Sequence, residues 1–132
     1  MCDKESALQW LRYAKRDYES AVLLKTHQHP PAIEIICYHC QQAVEKGLKS
    51  ILAFAGETIP KTHDIYRLKK LCEKHFPKIS EVLSDNNADI FTDFATITRY
   101  PDEKGDLTEV EMNFAIMYAK QILEGIEEMR II

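Results

Sequence analysis

Along residues 30–56, PPAIEIICYHCQQAVEKGLKSILAFAG, the apolar positions Ile33, Ile36, Cys37, Cys40, Val44, Gly47, Leu48, Ile51, Leu52 and Ala55 recur at steps of three and four. That period places them on one side of a helix about seven turns long. Pro31 can open this helix and Gly56 can close it. So continuous an apolar face needs partners along its whole length, so the other periodic segments are read as helices packed against it. Residues 3–27 form the first, with Leu8, Leu11, Ala14, Tyr18, Ala21 and Val22 inward and Lys15, Arg16 and Glu19 in water. The linker HQHPP stops it, because proline biases the residue before it toward extended backbone. A linker that short makes the first two helices antiparallel neighbours.

In the connection ETIPKTHD, Thr62 is the expected N-cap of a third helix and Asp64 sits in its first turn. That helix runs to Phe76 with Ile65, Leu68, Leu71, Cys72 and Phe76 inward, and Pro77 ends it. Residues 79–83 read as a further turn or two and SDNNAD as a loop. A short helix carrying Ile90, Phe91, Phe94, Ala95 and Ile97 follows, then irregular backbone in TRYPDEKGD. The last helix opens on a capping box, Thr108 with Glu111, and runs to the C-terminus. It carries two apolar stripes. Val110, Phe114, Tyr118, Ile122 and Met129 make one; Met112, Ile116, Ala119, Leu123 and Ile126 make the other. Together they span roughly twice the ~100° that one core contact uses. A second subunit in a two-fold dimer is the simplest cover for the extra stripe; a central place within its own bundle is the alternative. The reading is an all-α fold in one domain, residues 1–132.

Composition narrows this only a little. With 45% hydrophobic and 29% charged residues the 132-residue chain is ordinary for a soluble domain with one core. It contains no run near the ~20 apolar residues of a membrane span and no signal segment, so a cytoplasmic protein that does not engage membranes is expected. The four cysteines do not form the framework of a small secreted domain and read as free thiols. The net charge of −4 hides an uneven distribution: residues 46–78 hold eight Lys and Arg against three acids, and residues 79–111 hold two against nine. Such a split can create a local positive surface suited to a phosphate or an acidic partner; otherwise Lys69, Lys70 and Lys74 simply solvate the outside of a helix.

The chemistry-bearing residues each have a bland alternative. Cys37, His39 and Cys40 suggest a metal, but no second ligand pair exists and both thiols fall on the core stripe, so packing is expected. His63 followed by Asp64 suggests a metal-dependent phosphohydrolase; helix-start capping explains the pair as well. Gln42, Glu45, Lys46 and Lys49 lie off the stripe of the central helix, as a solvated face or as the lining of a groove with Lys61. Gln41 sits on the stripe's flank, where a buried hydrogen bond would fix helix register. No cofactor or metal is expected.

Four stretches, WLRYAKRDYESA at 10–21, YHCQQAVEKGLKSIL at 38–52, KTHDIYRL at 61–68 and TRYPD at 98–102, resemble the small single-domain proteins of the HEPN family. The resemblance implies an up-and-down bundle of four main helices plus a short extra one, commonly a homodimer. It also implies two functional classes. Many members accompany a minimal nucleotidyltransferase in toxin–antitoxin pairs; others are metal-independent ribonucleases carrying an Arg followed, after four to six residues, by a His. Arg99 matches the Arg, but the positions allowed for the His hold Lys104, Gly105 and Asp106.

That departure matters because metal-free RNA cleavage needs a base with a pKa near the working pH. An unperturbed Lys titrates at about 10.4, and Asp102, Glu103 and Asp106 around Lys104 favour its charged form further. What remains can hold an anion: Arg99 for a bidentate phosphate, Tyr100 for a stacked base, and Lys61 and His63 at the start of the third helix, with Lys104 and Lys49 as further cations. A pairing of Arg99 with Asp102 or Asp106 is the alternative. The expected function is therefore a non-catalytic module that binds a nucleotide, an RNA-like polyanion or a nucleotidyltransferase partner. The competing readings are a ribonuclease using Lys104 or His63, and an interaction subunit without a small ligand.

Overall fold

The computed structural model describes residues 3–79 and 107–130. Within them lie four helices, α1 Lys4–His27, α2 Ile33–Phe54, α3 Ile65–His75 and α4 Glu109–Glu128, and no strand. The fold is an all-helical bundle. The expected short helix around Phe91 and the TRYPDEKGD segment lie outside the described residues, as does most of the 79–83 turn, of which Ile79 is buried.

α2 is the central element: α1, α3 and α4 all pack on it, and fifteen of its 22 residues are buried. Asp3 N–H donates to Ala53 O, Trp10 lies by Lys49, and Asp17 meets Lys46 and His39, so α1 and α2 run antiparallel as their short linker requires. α4 runs in the sense of α2, with Glu111 near Cys37 and Leu123 and Ile126 against Gly47. The 55–64 connection doubles back along α2. His63 reaches Glu45 at one end of α3, Cys72 Sγ donates to Leu48 O, and Phe76 meets Phe54 at the other.

The helix ends follow local chemistry. Asp3 caps α1 by accepting from Ser6 N–H. α2 begins at Ile33 without a side-chain cap, two residues after Pro31, and ends in a Schellman turn: Gly56 N–H donates to Ala53 O, Glu57 N–H to Leu52 O, and Gly56 takes φ 80°. α3 starts later than expected, because Asp64 rather than Thr62 is its N-cap. The Asp64 carboxylate accepts from Arg67 N–H, while Thr62 Oγ1 accepts from Asp64 N–H. The capping box of α4 is present, Thr108 Oγ1 accepting from Glu111 N–H and Glu111 Oε1 from Thr108 N–H.

Three expectations about faces need correction. α1 buries Ala7 instead of Leu8, which is 48% exposed. The second stripe of α4 is largely taken up within the chain: Met112, Ala119, Leu123 and Ile126 are buried along with Tyr118 and Ile122 of the first, whereas Val110 stays 79% exposed. The width of the apolar arc therefore reflects packing within the bundle for that second stripe, which needs no cover from a second subunit. Lys69 does not solvate α3; it is buried, with Nζ 3.4 Å from Glu73 and over the Tyr66 ring. Lys70 and Lys74 are exposed as expected.

Candidate functional site

The side of α2 expected to face water is a buried polar cluster. Gln41, Gln42, Glu45 and Lys49 follow one another at steps of one, three and four, which stacks them along one flank of the helix. α1 and the 55–64 connection close over that flank, leaving Glu45 3% and Lys49 7% exposed. Charges removed from water to that degree are costly unless paired and hydrogen-bonded, and here the pairing is dense. Lys49 Nζ donates to Glu45 Oε2 at 3.0 Å, Gln41 Nε2 to Oε1 at 3.2 Å, and His63 Nδ1 lies 2.8 Å from the same Oε1. Gln42 Nε2 donates to Gln41 Oε1 at 2.8 Å and continues the chain. Lys49 Nζ also stands 5.5 Å from the centre of the Trp10 ring, which backs the cation with a π face.

The cluster joins three segments. Glu45 and Lys49 come from α2, Trp10 from α1, and His63 from the residue before the N-cap of α3. A carboxylate at Oε1 is satisfied by a protonated Nδ1, so Glu45 sets both the tautomer and the orientation of the half-exposed His63 ring. A second pair steadies the same connection: His75 Nε2 lies 2.7 Å from Glu57 Oε1, and this hydrogen bond holds the Glu57 carboxyl below its usual range. Further along the α1–α2 seam, Asp17 receives Lys46 Nζ at 2.7 Å and His39 Nδ1 at 3.0 Å.

Of the expected anion-binding residues, the structure places His63 at this cluster and Lys61 two residues before it, exposed on the same connection. Lys49 is not a groove-lining cation; it is turned inward as the partner of Glu45. Arg99, Tyr100 and Lys104 lie outside the described residues. Gln41 is buried and hydrogen-bonded as its position suggested, but to Glu45 and Gln42 of the same helix and not across to a neighbour. Glu45 and Trp10 carry more of the site than sequence reasoning assigned.

Cys37 and Cys40 pack in the core. Burial pushes Cys37 up to about 12 and Cys40 higher still, so both remain thiols. Asp64 serves as a helix cap and His63 as a partner of Glu45, which accounts for both halves of the His-Asp pair.

The described residues form a helical bundle around one long central helix, with a buried Glu45–Lys49 pair reached by the half-exposed His63. The chain belongs to the HEPN domain family, whose model matches residues 7–129. Comparison with curated proteins finds no match. Among the described residues, no helix is long and apolar enough to cross a membrane.

Proposed function

We propose that this chain is a HEPN module that binds a nucleotide or an RNA-like polyanion and catalyses no reaction of its own. The observation that carries the reading is the hydrogen bond of His63 to buried Glu45. It holds an imidazole in one orientation on the connection that also bears Lys61. Arg99 and Tyr100 complete the proposed site. Lys104 stands where a ribonuclease of this family would carry its His, and an amine flanked in sequence by Asp102, Glu103 and Asp106 is a poor proton acceptor. The proposal includes a homodimer and, as in toxin–antitoxin pairs, a minimal nucleotidyltransferase as protein partner, in the cytoplasm. What supports the dimer is the pair Val110 and Met117, seven residues apart on one face of α4 and both exposed.

The test is thermal stabilisation by added nucleotides and short RNAs. Arg99→Ala and His63→Ala should each abolish the shift and leave the oligomeric state unchanged. An undiminished shift in both variants would remove these residues from the site.

One observation favours a second reading. A buried carboxylate that fixes the tautomer of an exposed His is the arrangement of an oriented general base, so His63 could replace the missing His of a metal-independent ribonuclease.

A further inference from the structure

The α1–α2 seam carries a surface that this function does not yet use. Trp10, Tyr13 and Asp17, at spacings of three and four, line the edge of α1 beside α2, and Gln9, Arg12 and Arg16 lie one step further toward solvent. A cavity of about 250 Å³ opens along this edge, lined by Ser6, Gln9, Trp10 and Tyr13. A second, of about 260 Å³, adjoins it across Gln9 and is lined by Glu5, Leu8, Gln9 and Arg12. The first offers two aromatic rings beside a hydroxyl and an amide, which is what a nucleobase needs: a face to stack on and polar groups for its edge.

The charges around it are arranged for phosphate. The seam acids are already engaged, Asp17 by Lys46 and His39 and Glu45 by Lys49, Gln41 and His63. Arg12 and Arg16 form no ion pair among the described residues; the Arg12 guanidinium stands 5.5 Å from the Tyr13 ring centre. The Gln9 side chain and then Arg12, with the charges of Arg12 and Arg16, hold the Tyr13 phenol below its ordinary range. Glu5 lines the far side of the second cavity, and Asp17 on the same edge is taken up by Lys46 and His39.

We propose that the outer edge of α1 binds single-stranded RNA, with bases stacked on Trp10 and Tyr13 and phosphates held by Arg12 and Arg16. A strand fits better than one nucleotide because the features repeat. The two rings are three residues apart, about 4.5 Å along the axis, and the two arginines four apart, about 6 Å, the order of the separation of neighbouring phosphates in an extended strand. Trp10 is also joined through Lys49 and Glu45 to His63, so this path leads toward the proposed anion site and rests on that reading.

Trp10 is the only tryptophan, so its fluorescence reports on the path directly. Titration of the full chain with a short oligouridylate should quench it. Tyr13→Ala, a substitution at an exposed position, should weaken binding about tenfold. Arg12→Ala and Arg16→Ala should each lower the slope of log affinity against log salt by about 0.7. RNA binding with unchanged Trp10 emission and no effect of Tyr13→Ala would overturn this inference while leaving the broader reading in place. Equal quenching by uridine monophosphate at the same concentration would overturn the strand. Absence of any RNA binding would overturn both.

Discussion

Glu45 accepts from Lys49, Gln41 and His63 on two oxygens while almost wholly buried, so the fate of a single carboxylate decides whether three side chains stay satisfied. Glu45→Ala strands the ammonium of Lys49 in a site with little water and should destabilise the fold by about 3 kcal/mol. The double variant Glu45→Ala with Lys49→Met leaves no such charge and should recover part of that loss. Urea unfolding measures both; a Glu45→Ala midpoint equal to the parent's would show that the carboxylate is not a buried partner. At this scale the sequence was only half legible. Gln41 lies where the apolar stripe meets its flank, and its buried hydrogen bond followed from that position. Glu45 and Lys49 look like ordinary solvated residues because what buries them, Trp10 from 39 residues before Lys49 and His63 from 18 after Glu45, is brought there by tertiary packing.

The elements were readable wherever one local interaction dominates. Thr108 and Glu111 satisfy each other's backbone N–H, a reciprocal pair that fixes where α4 begins. Before α3, Thr62 and Asp64 both suit an N-cap, and the chain uses both in series, so the helix begins at Ile65. Gly56 was identified from its place after an apolar run, and its φ of 80° gives the reason. Gly56→Ala should cost roughly 1–2 kcal/mol, the penalty for a side chain in left-handed backbone, seen as a lower melting temperature. An unchanged melting temperature would mean the α2 terminus relaxes to another turn. Gly47 is required for a different reason, since a Cβ there would come within 3.0 Å of Ile126 Cδ1 and 3.4 Å of Leu123 Cδ2. Gly47→Leu should destabilise by about 1–3 kcal/mol through overpacking between α2 and α4. A stability equal to the parent's would contradict that close approach.

For the whole molecule, the three buried thiols set a pH dependence. Cys37, Cys40 and Cys72 titrate in the folded chain above the ordinary 9.0, chiefly through burial. Above that value the unfolded chain releases thiol protons that the folded chain retains, so their contribution is intact below pH 9.0 and declines as pH rises toward the folded values. Their alkylation by iodoacetamide at about pH 8, near the ordinary thiol range, should proceed at the rate of unfolding; modification as fast as in the denatured chain would contradict the burial. The helical bundle and its family were legible because long periodic helices and four spaced motifs point the same way. The extra stripe on α4 was misleading: periodicity shows how much of a helix is apolar but not whether the cover comes from the same chain. The site was legible only as residue types, since what Lys49 or His63 does depends on the partner it meets.

The central claim is an anion-binding module that leaves RNA intact, and one measurement addresses it most directly: end-labelled structured RNA incubated with the purified protein in chelator, followed in parallel by binding and by gel. A non-catalytic module gives a retarded complex from which the RNA is recovered uncut. Cleavage that disappears in His63→Ala or Lys104→Ala would contradict it and establish the oriented base as catalytic.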